Sequence, residues 1–394
     1  MKVQCTRKGL SETLSIVGRA VAMRAALPSI TCVLMTIAGG DGVHLSATNL
    51  EFAIRTRLGC TVEGNLDTVS YAIPYRRLAD LVNAMQTNAM VEISDTGKDE
   101  ILVKWGQAGR LRSRSTIKTT PAEEFPLIPI FPGGTEIEPQ AFQRAIDRVI
   151  FSTLDQAGAI YGGVLIESKE GKVILASTDR TRISVASFKS PVITGAWGSV
   201  VVPSVSLWEM RRVLATSEDK GCQVHIEQKR RFWMQLDGTV MYSGVLDGAF
   251  PNYQEIMDSI GKATVVANFS VADFLQIIKA AKIVAQDYND YLDLSVGPGT
   301  VTISCRTLEG SYEASIDAET VGDIAVGINA KFLYEWLNSV GSPQGNLLLT
   351  DPGKPARLTY SDSVEESICV FGLMYRRDRE NGKPNEPAQE TKDE

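Results

Sequence analysis

Three stretches of the chain alternate apolar and polar positions in one shared order. CVLMTIAGGDGVHLSATNLEFAI begins at Cys32. GVLIESKEGKVILASTDRTRISVA begins at Gly163, 131 positions later, and YLDLSVGPGTVTISCRTLEGSYEASI at Tyr291, 128 positions after that. Each reads as a strand, a glycine-containing turn, a second strand, a threonine-containing corner and a third strand. Gly39-Gly40-Asp41-Gly42, Glu170-Gly171 and Gly297-Pro298-Gly299 occupy the same hairpin position. There the backbone needs positive φ or a fixed bend.

A second element follows each stretch. YAIPYRRLADLVNAM, SVVVPSVSLWEMRRVLA and IAVGINAKFLYEWLNSV each join a short apolar strand to a helical run, with Pro74, Pro203 and Asn329 at the junctions. A helix also opens each unit. Leu14, Val17 and Val21 share one helical face, as do Phe142, Ile146 and Val149, and Phe274, Ile278 and Ala281. Ser11 and Ser270 are N-cap candidates. Phe125-Pro126 and Phe250-Pro251 close the first two units, and ICVFGLMYRR closes the third. The plan is an α+β unit repeated three times, over 1–127, 136–258 and 263–377, with boundaries in LIPIFPGGTEIEP and near 259–262. The polar residues 378–394 carry no periodicity and are expected to be disordered.

Length agrees with repetition, because 394 residues exceed what one core supports. The net charge of −7 makes the whole chain a poor nucleic-acid magnet. Its distribution changes that picture. The six expected helices, 11–25, 75–85, 139–154, 204–216, 270–286 and 329–340, carry +1 each except the last, which is neutral. Together they hold +5, so the remaining residues hold −12. Arg144 and Arg148 lie one turn apart, opposite the apolar face of their helix. Lys279 and Lys282 flank another such face, and Arg76, Arg77, Arg211 and Arg212 sit in equivalent second helices. Basic surfaces on an acidic body attract phosphates, and such contacts carry no sequence information.

The six cysteines are scattered without a CxxC pair, which suits reduced thiols in a cytosolic protein. The N-terminus lacks the apolar core of a signal peptide, and no apolar run approaches the roughly 20 residues that span a bilayer. His44 and His225 each fall in an expected strand. HExxH, GxSxG, P-loop and dinucleotide motifs are missing, and no DxD-like cluster stands out. The expectation is a chain with no catalytic residue, no metal and no cofactor.

Several segments resemble the bacterial sliding clamp family, the beta subunit of the replicative DNA polymerase III. They are Arg24 with Leu27-Pro28, ATNLEFAI at 47–54, RSRSTIKTTPAEEFP at 112–126, STDRTRIS at 177–184 and DGAFPNYQEIM at 247–257. The resemblance runs from residue 1 to about 377. It implies three similar domains per chain in a head-to-tail homodimeric ring, with helices lining a central hole and antiparallel sheets outside. Twelve helices roughly 10 Å across give a circumference on the order of 120 Å. The implied function is to encircle double-stranded DNA and tether the replicative polymerase, a clamp loader and repair proteins through short peptides. No membrane partner is implied, and the place would be the cytoplasm, with the nucleoid. A diverged paralogue serving mainly as an interaction scaffold is the alternative.

Arg24 matches a DNA-contacting position of the family. The helix reading adds Arg76, Arg77, Arg144, Arg148, Arg211, Arg212, Lys279 and Lys282. The resemblance places a peptide groove at Tyr161, Thr178, Arg182, Ile183, Pro251, Ile256, Pro355 and Val370, with Leu373 and Met374 beside them. Arg180-Thr181 replaces the family's Gly-His there, and FGLMYRR replaces its terminal MPMR. For the contact between copies, Ile283 and Val284 match an apolar patch, and Ser115 stands where an aromatic is common. Arg110, Arg112 and Arg114 alternate along a strand and share one face. Asp287, Asp290 and Glu309 lie near the other edge. Ion pairs across that seam are expected to offset the missing aromatic.

Overall fold

The computed structural model describes residues 2–374 except 39–40, 65–67, 98, 155–157, 191–197, 217–220, 228–229 and 287–288. Seven α-helices occur among the described residues: α1 (Arg7–Val17), α2 (Tyr75–Asn83), α3 (Pro139–Asp147), α4 (Ser204–Leu214), α5 (Tyr253–Ser259), α6 (Val271–Ala285) and α7 (Ala330–Ser339). All but the short α5 fall on the six expected helical runs.

The repeated stretches fold as read. Cys32–Ala38, Gly42–Thr48 and Phe52–Leu58 form an antiparallel ladder. So do Gly163–Lys169, Lys172–Thr178 and Arg182–Lys189, and Tyr291–Gly297, Thr300–Arg306 and Ser311–Val321. Gly42, Gly171 and Gly299 take φ of 82°, 72° and 76° at the three hairpins. Gly39 and Gly40 lie outside the described residues.

The threonine corner is a repeated hydrogen-bond device. Thr48 Oγ1 accepts from Leu50 N–H at 3.0 Å and donates to the Phe52 carbonyl at 3.0 Å. Thr178 accepts from Arg180 N–H at 3.1 Å and donates to the Arg182 carbonyl at 2.7 Å. Thr307 accepts from Glu309 N–H and donates to the Gly310 carbonyl, a corner one residue tighter. These bonds hold Leu50 and Arg180 in the left-handed region, at φ of 79° and 74°.

Two compact units result, and they cut across the middle repeat. One comprises Met1–Pro139 with Val205–Val245, the other Gln140–Ser204 with Leu246–Glu394. Strand pairing explains the cut. In the first unit, Thr239–Gly244 of the second repeat pairs with Phe52–Leu58 of the first, placing Met241 opposite Ile54. An eight-stranded sheet follows, beside a five-stranded sheet that ends at Arg110–Lys118. In the second unit, Glu365–Phe371 of the third repeat pairs with Arg182–Lys189 of the second, within a twelve-stranded sheet. Both seams set the last strand of one repeat against the third strand of the repeat before it.

The apolar helix faces fill the cores. Leu10, Leu14 and Val17 of α1 are buried with Leu78 and Val82 of α2. In the second unit Phe274, Ile278 and Ala281 of α6 join Leu333, Trp336 and Leu337 of α7 in one cluster over the third ladder. Ser270 caps α6, accepting from Asp273 N–H at 3.4 Å.

The helix ends differ from expectation in two places. Thr6, not Ser11, caps α1, accepting from Gly9 N–H at 3.1 Å, so the helix starts four residues before Ser11. That helix stops at Val17, a 3₁₀ turn covers Gly18–Ala20, and 21–25 are irregular. The third run stops at Asp147, with a 3₁₀ turn at Ile150–Ser152. Side chains of the strand corner capture its last carbonyls: Ser177 Oγ donates to Val149 O and Arg182 Nη2 to Phe151 O.

Gly171 offers a clean test of the hairpin geometry. No heavy atom lies within 4 Å of where its Cβ would stand, so a substitution meets only backbone strain. Gly171→Ala is expected to lower stability by about 1 kcal/mol, read from a urea midpoint. An unchanged midpoint would show that the turn relaxes freely.

Candidate nucleic-acid and partner interfaces

The basic residues separate into three environments. Arg24, Arg76, Arg77, Arg212 and Lys279 are exposed. Arg76 and Arg77 stand at the start of α2, beside the fully buried Leu78. Arg24 lies in the irregular segment after α1, not on a helix. Arg211 and Lys282 are half-buried and stacked, Arg211 at 5.5 Å from the Trp208 ring centre and Lys282 at 4.6 Å from that of Tyr334. Such stacking fixes the orientation of a cation.

Arg148 corrects the helix reading. It is 3% exposed, and its guanidinium donates to Glu365 Oε2 at 2.6 Å and twice to the Val340 carbonyl. It also lies over the Tyr360 ring at 4.9 Å. Arg144, more open, donates twice to Glu365 Oε1 at 2.8 and 2.6 Å. One buried carboxylate thus engages both arginines, and Arg148 has no path to a phosphate. The hairpin presenting Glu365 is held by Asp362, which accepts from the Tyr360 hydroxyl and the N–H groups of Glu365 and Val364. These donors pull the Asp362 carboxyl down to about 2. Its folded pKa is depressed, so its contribution is present above the ordinary carboxylate range and is lost as pH falls toward 2.

The groove residues gather in the second unit. Ile183 and Val370 face each other across the strand seam. They share an apolar cluster with Tyr253 and Ile260, edged by Ile160, Leu246, Phe250 and Met257. Thr178 is buried in its corner; Tyr161, Pro251 and Pro355 are half-buried, and Ile256 is 39% exposed. Tyr253 donates to Glu167 at 2.6 Å; burial and that carboxylate raise its pKa. Two residues depart from the expected groove. Leu373 packs against the third repeat's core instead, and Met374 is tied through its N–H to Gly327 O.

Arg182 is nearly buried at the same corner. It is 5% exposed, donates to Asp179 at 2.8 Å and Phe151 O at 2.7 Å, and pairs with Glu335 at 2.5 Å. The rings of Phe151 and Phe332 lie 5.2 and 4.7 Å from it. It braces the corner from inside, its guanidinium held by these partners. The residue of this corner that does face outward is Arg180. Its guanidinium stands 4.8 Å from the Tyr161 ring centre.

Two strand edges carry the third set. Arg110, Arg112 and Arg114 are exposed along Arg110–Lys118, the terminal strand of its sheet, with Ser115 half-buried. In the other unit Ser311–Asp317 pairs with Thr300–Arg306, and the opposite edge of the strand pairs only from Ala318 onward, with Val266–Phe269, among the described residues. Glu313, Asp317 and Glu319 are exposed on that strand, and Glu309 in the turn before it. Ile283 is 76% exposed, Val284 half-buried. Asp290 is half-buried; Asp287 lies outside the described residues.

Among the described residues, no three His, Cys, Asp or Glu side chains group as a metal site. Comparison with known proteins gives a consistent result. Three family models match: DNA polymerase III beta subunit N-terminal domain at 1–129, central domain at 136–252 and C-terminal domain at 261–370. A beta sliding clamp of Pseudomonas putida is 25% identical over 374 residues, spanning 93% of this chain and 98% of that protein. One from Caulobacter vibrioides is 26% identical over 384 residues, with the same coverage. The crystal structure of the DNA polymerase III subunit beta from Pseudomonas aeruginosa superposes with a TM-score of 0.83 at 23% identity, covering 95% of this chain and all of that one.

The Glu365 network yields a stability prediction. Glu365→Ala leaves Arg148 buried without its carboxylate and is expected to cost about 3–5 kcal/mol. Arg144→Ala, at a half-exposed position, should cost no more than about 1 kcal/mol. Urea titrations of the two variants compare them directly; equal losses would mean that Glu365 serves Arg144 alone.

Proposed function

The chain belongs to the DNA polymerase III beta-subunit family, and on that premise we propose that two copies close into a ring that encircles duplex DNA. In this reading it is a sliding clamp, a non-catalytic processivity subunit. The replicative polymerase, an ATP-using loader and repair proteins would bind through short peptides at the Ile183–Val370 cluster. Exposed Arg24, Arg76, Arg77, Arg212 and Lys279 would meet phosphates weakly and anywhere along the duplex. A closed ring stays on by topology, so weak contacts suffice.

One observation supports the closure most directly. Both internal seams pair the last strand of one repeat with the third strand of the preceding repeat. By that pattern the strands without such a counterpart are the last strand of the first repeat, Arg110–Lys118, which is terminal in its sheet, and the third strand of the third repeat, whose Ser311–Asp317 part has no second neighbour among the described residues. A second copy supplies the missing partner for each, head to tail, and two such seams complete a ring. The edges are of opposite charge. Arg110, Arg112, Arg114 and Lys118 are exposed on one; Glu313 and Asp317 on the other, with Glu319 exposed in the stretch already paired within the chain. Ile283 and Val284 add apolar contact beside them, while Ser115 adds little.

A diverged clamp acting as a scaffold is the second reading, favoured by the Arg180-Thr181 exchange within the groove corner. Retention on DNA separates the two. A loaded clamp is expected to stay on nicked circular duplex and slide off when that circle is linearised; equal loss from both forms would favour the scaffold.

The seam predicts a salt response, since exposed ion pairs contribute about 0–1 kcal/mol each and are screened. Light scattering should give a mass near twice 42.9 kDa at low salt, with dissociation into single chains rising with salt. A dimer affinity unchanged by salt would remove the ion pairs from the account.

A further inference from the structure

We infer that Arg180 makes the apolar groove selective for peptides carrying a carboxylate beside their apolar anchor; this rests on the groove reading above. Four observations lead there. The first is conformation. Arg180 sits at φ 74°, a region that favours glycine, and the Thr178 hydroxyl holds it there. The corner therefore projects this side chain outward at a fixed point.

The second is orientation. The Tyr161 ring lies 4.8 Å from the guanidinium. Stacking fixes the plane of the fork while its N–H edge stays free to donate.

The third is an unfilled valence. The neighbouring carboxylate, Asp179, is consumed. Its Oδ1 accepts from Thr181 N–H, the Thr181 hydroxyl and Arg182 N–H, and its Oδ2 from Arg182 Nε. Glu335 is engaged by Arg182. Arg19, Arg144, Arg148 and Arg182 each have a carboxylate, whereas no described carboxylate pairs with Arg180.

The fourth is location. Tyr161 follows Ile160, which edges the Ile183–Val370 cluster. A cation near the half-buried apolar rim of that cluster, Ile160, Leu246, Phe250 and Met257, suits a ligand with an apolar group and an adjacent anion. An acidic peptide has both, in bidentate geometry with Arg. A phosphodiester backbone has the anion without the apolar anchor, so the observations favour a peptide over nucleic acid.

The test uses the full chain and two fluorescein-labelled nonapeptides. They share a central Ile-Leu-Phe anchor and differ only by Glu or Gln at the residue before it. Fluorescence anisotropy is expected to show the Glu peptide bound about fivefold more tightly, a preference shrinking with salt, as for a partly exposed charged pair. Arg180→Gly fits the positive φ without strain and should bind both peptides alike, at the affinity of the Gln peptide. Arg180→Lys should keep only part of the preference, because it loses the fork. Equal binding of both peptides by the parent chain overturns the role of Arg180 and leaves the groove standing. Binding of neither overturns the groove and this inference together. Displacement of the Glu peptide by a short DNA duplex from the parent but not from Arg180→Gly would assign the cation to DNA and overturn it too.

Discussion

An unpaired strand edge is a row of N–H and C=O groups that must find partners, and this constraint organises the whole molecule. Each repeat ends in a hairpin strand that its own ladder does not cover. Inside the chain the third strand of the preceding repeat covers it, twice over. The sheets therefore run through repeat boundaries, and the compact units divide the middle repeat rather than the linkers. Head-to-tail closure needs no new principle, only the same pairing repeated with a second chain.

Electrostatics then divides the cations by what surrounds them. A guanidinium in the interior is tolerated only with paired, hydrogen-bonded partners. Arg148 and Arg182 meet that condition through Glu365, Asp179 and Glu335, and with ring stacking they tie helices to strand corners. Arg76, Arg77 and Lys279 stay in water. Arg180 belongs to neither group: it is held in place like a structural residue and exposed like a binding one.

Local chemistry was legible in the chain before any fold was known. The three ladders, the left-handed glycines at 42, 171 and 299, the capping Ser270 and the apolar faces of the helices all depend on residues within a few positions of one another. Period and turn chemistry report such dependence directly. The strand carrying Arg110, Arg112 and Arg114 was readable for the same reason, but a register shift opposite Trp105 and Gly106 makes Arg112 an extra residue and breaks the strict alternation. The cap at Thr6 was within reach too, but Ser11 beside a cleaner apolar period drew the reading four residues too far.

Tertiary structure decided the rest. Arg144 and Arg148 look alike on a helical wheel, yet Glu365, more than 200 residues away, buries one and leaves the other partly open. Arg182 carries the mark of a recognition motif, and only the arrival of Glu335 and Phe332 turns it into an internal brace. Helices expected to run to residues 25 and 154 end early, the second where a strand corner captures its carbonyls. The sequence by itself determined which elements form and which faces are apolar, because those follow from neighbours along the chain. Which charges remain available for function depended on partners distant in sequence, and burial assigns them only once the strands have paired.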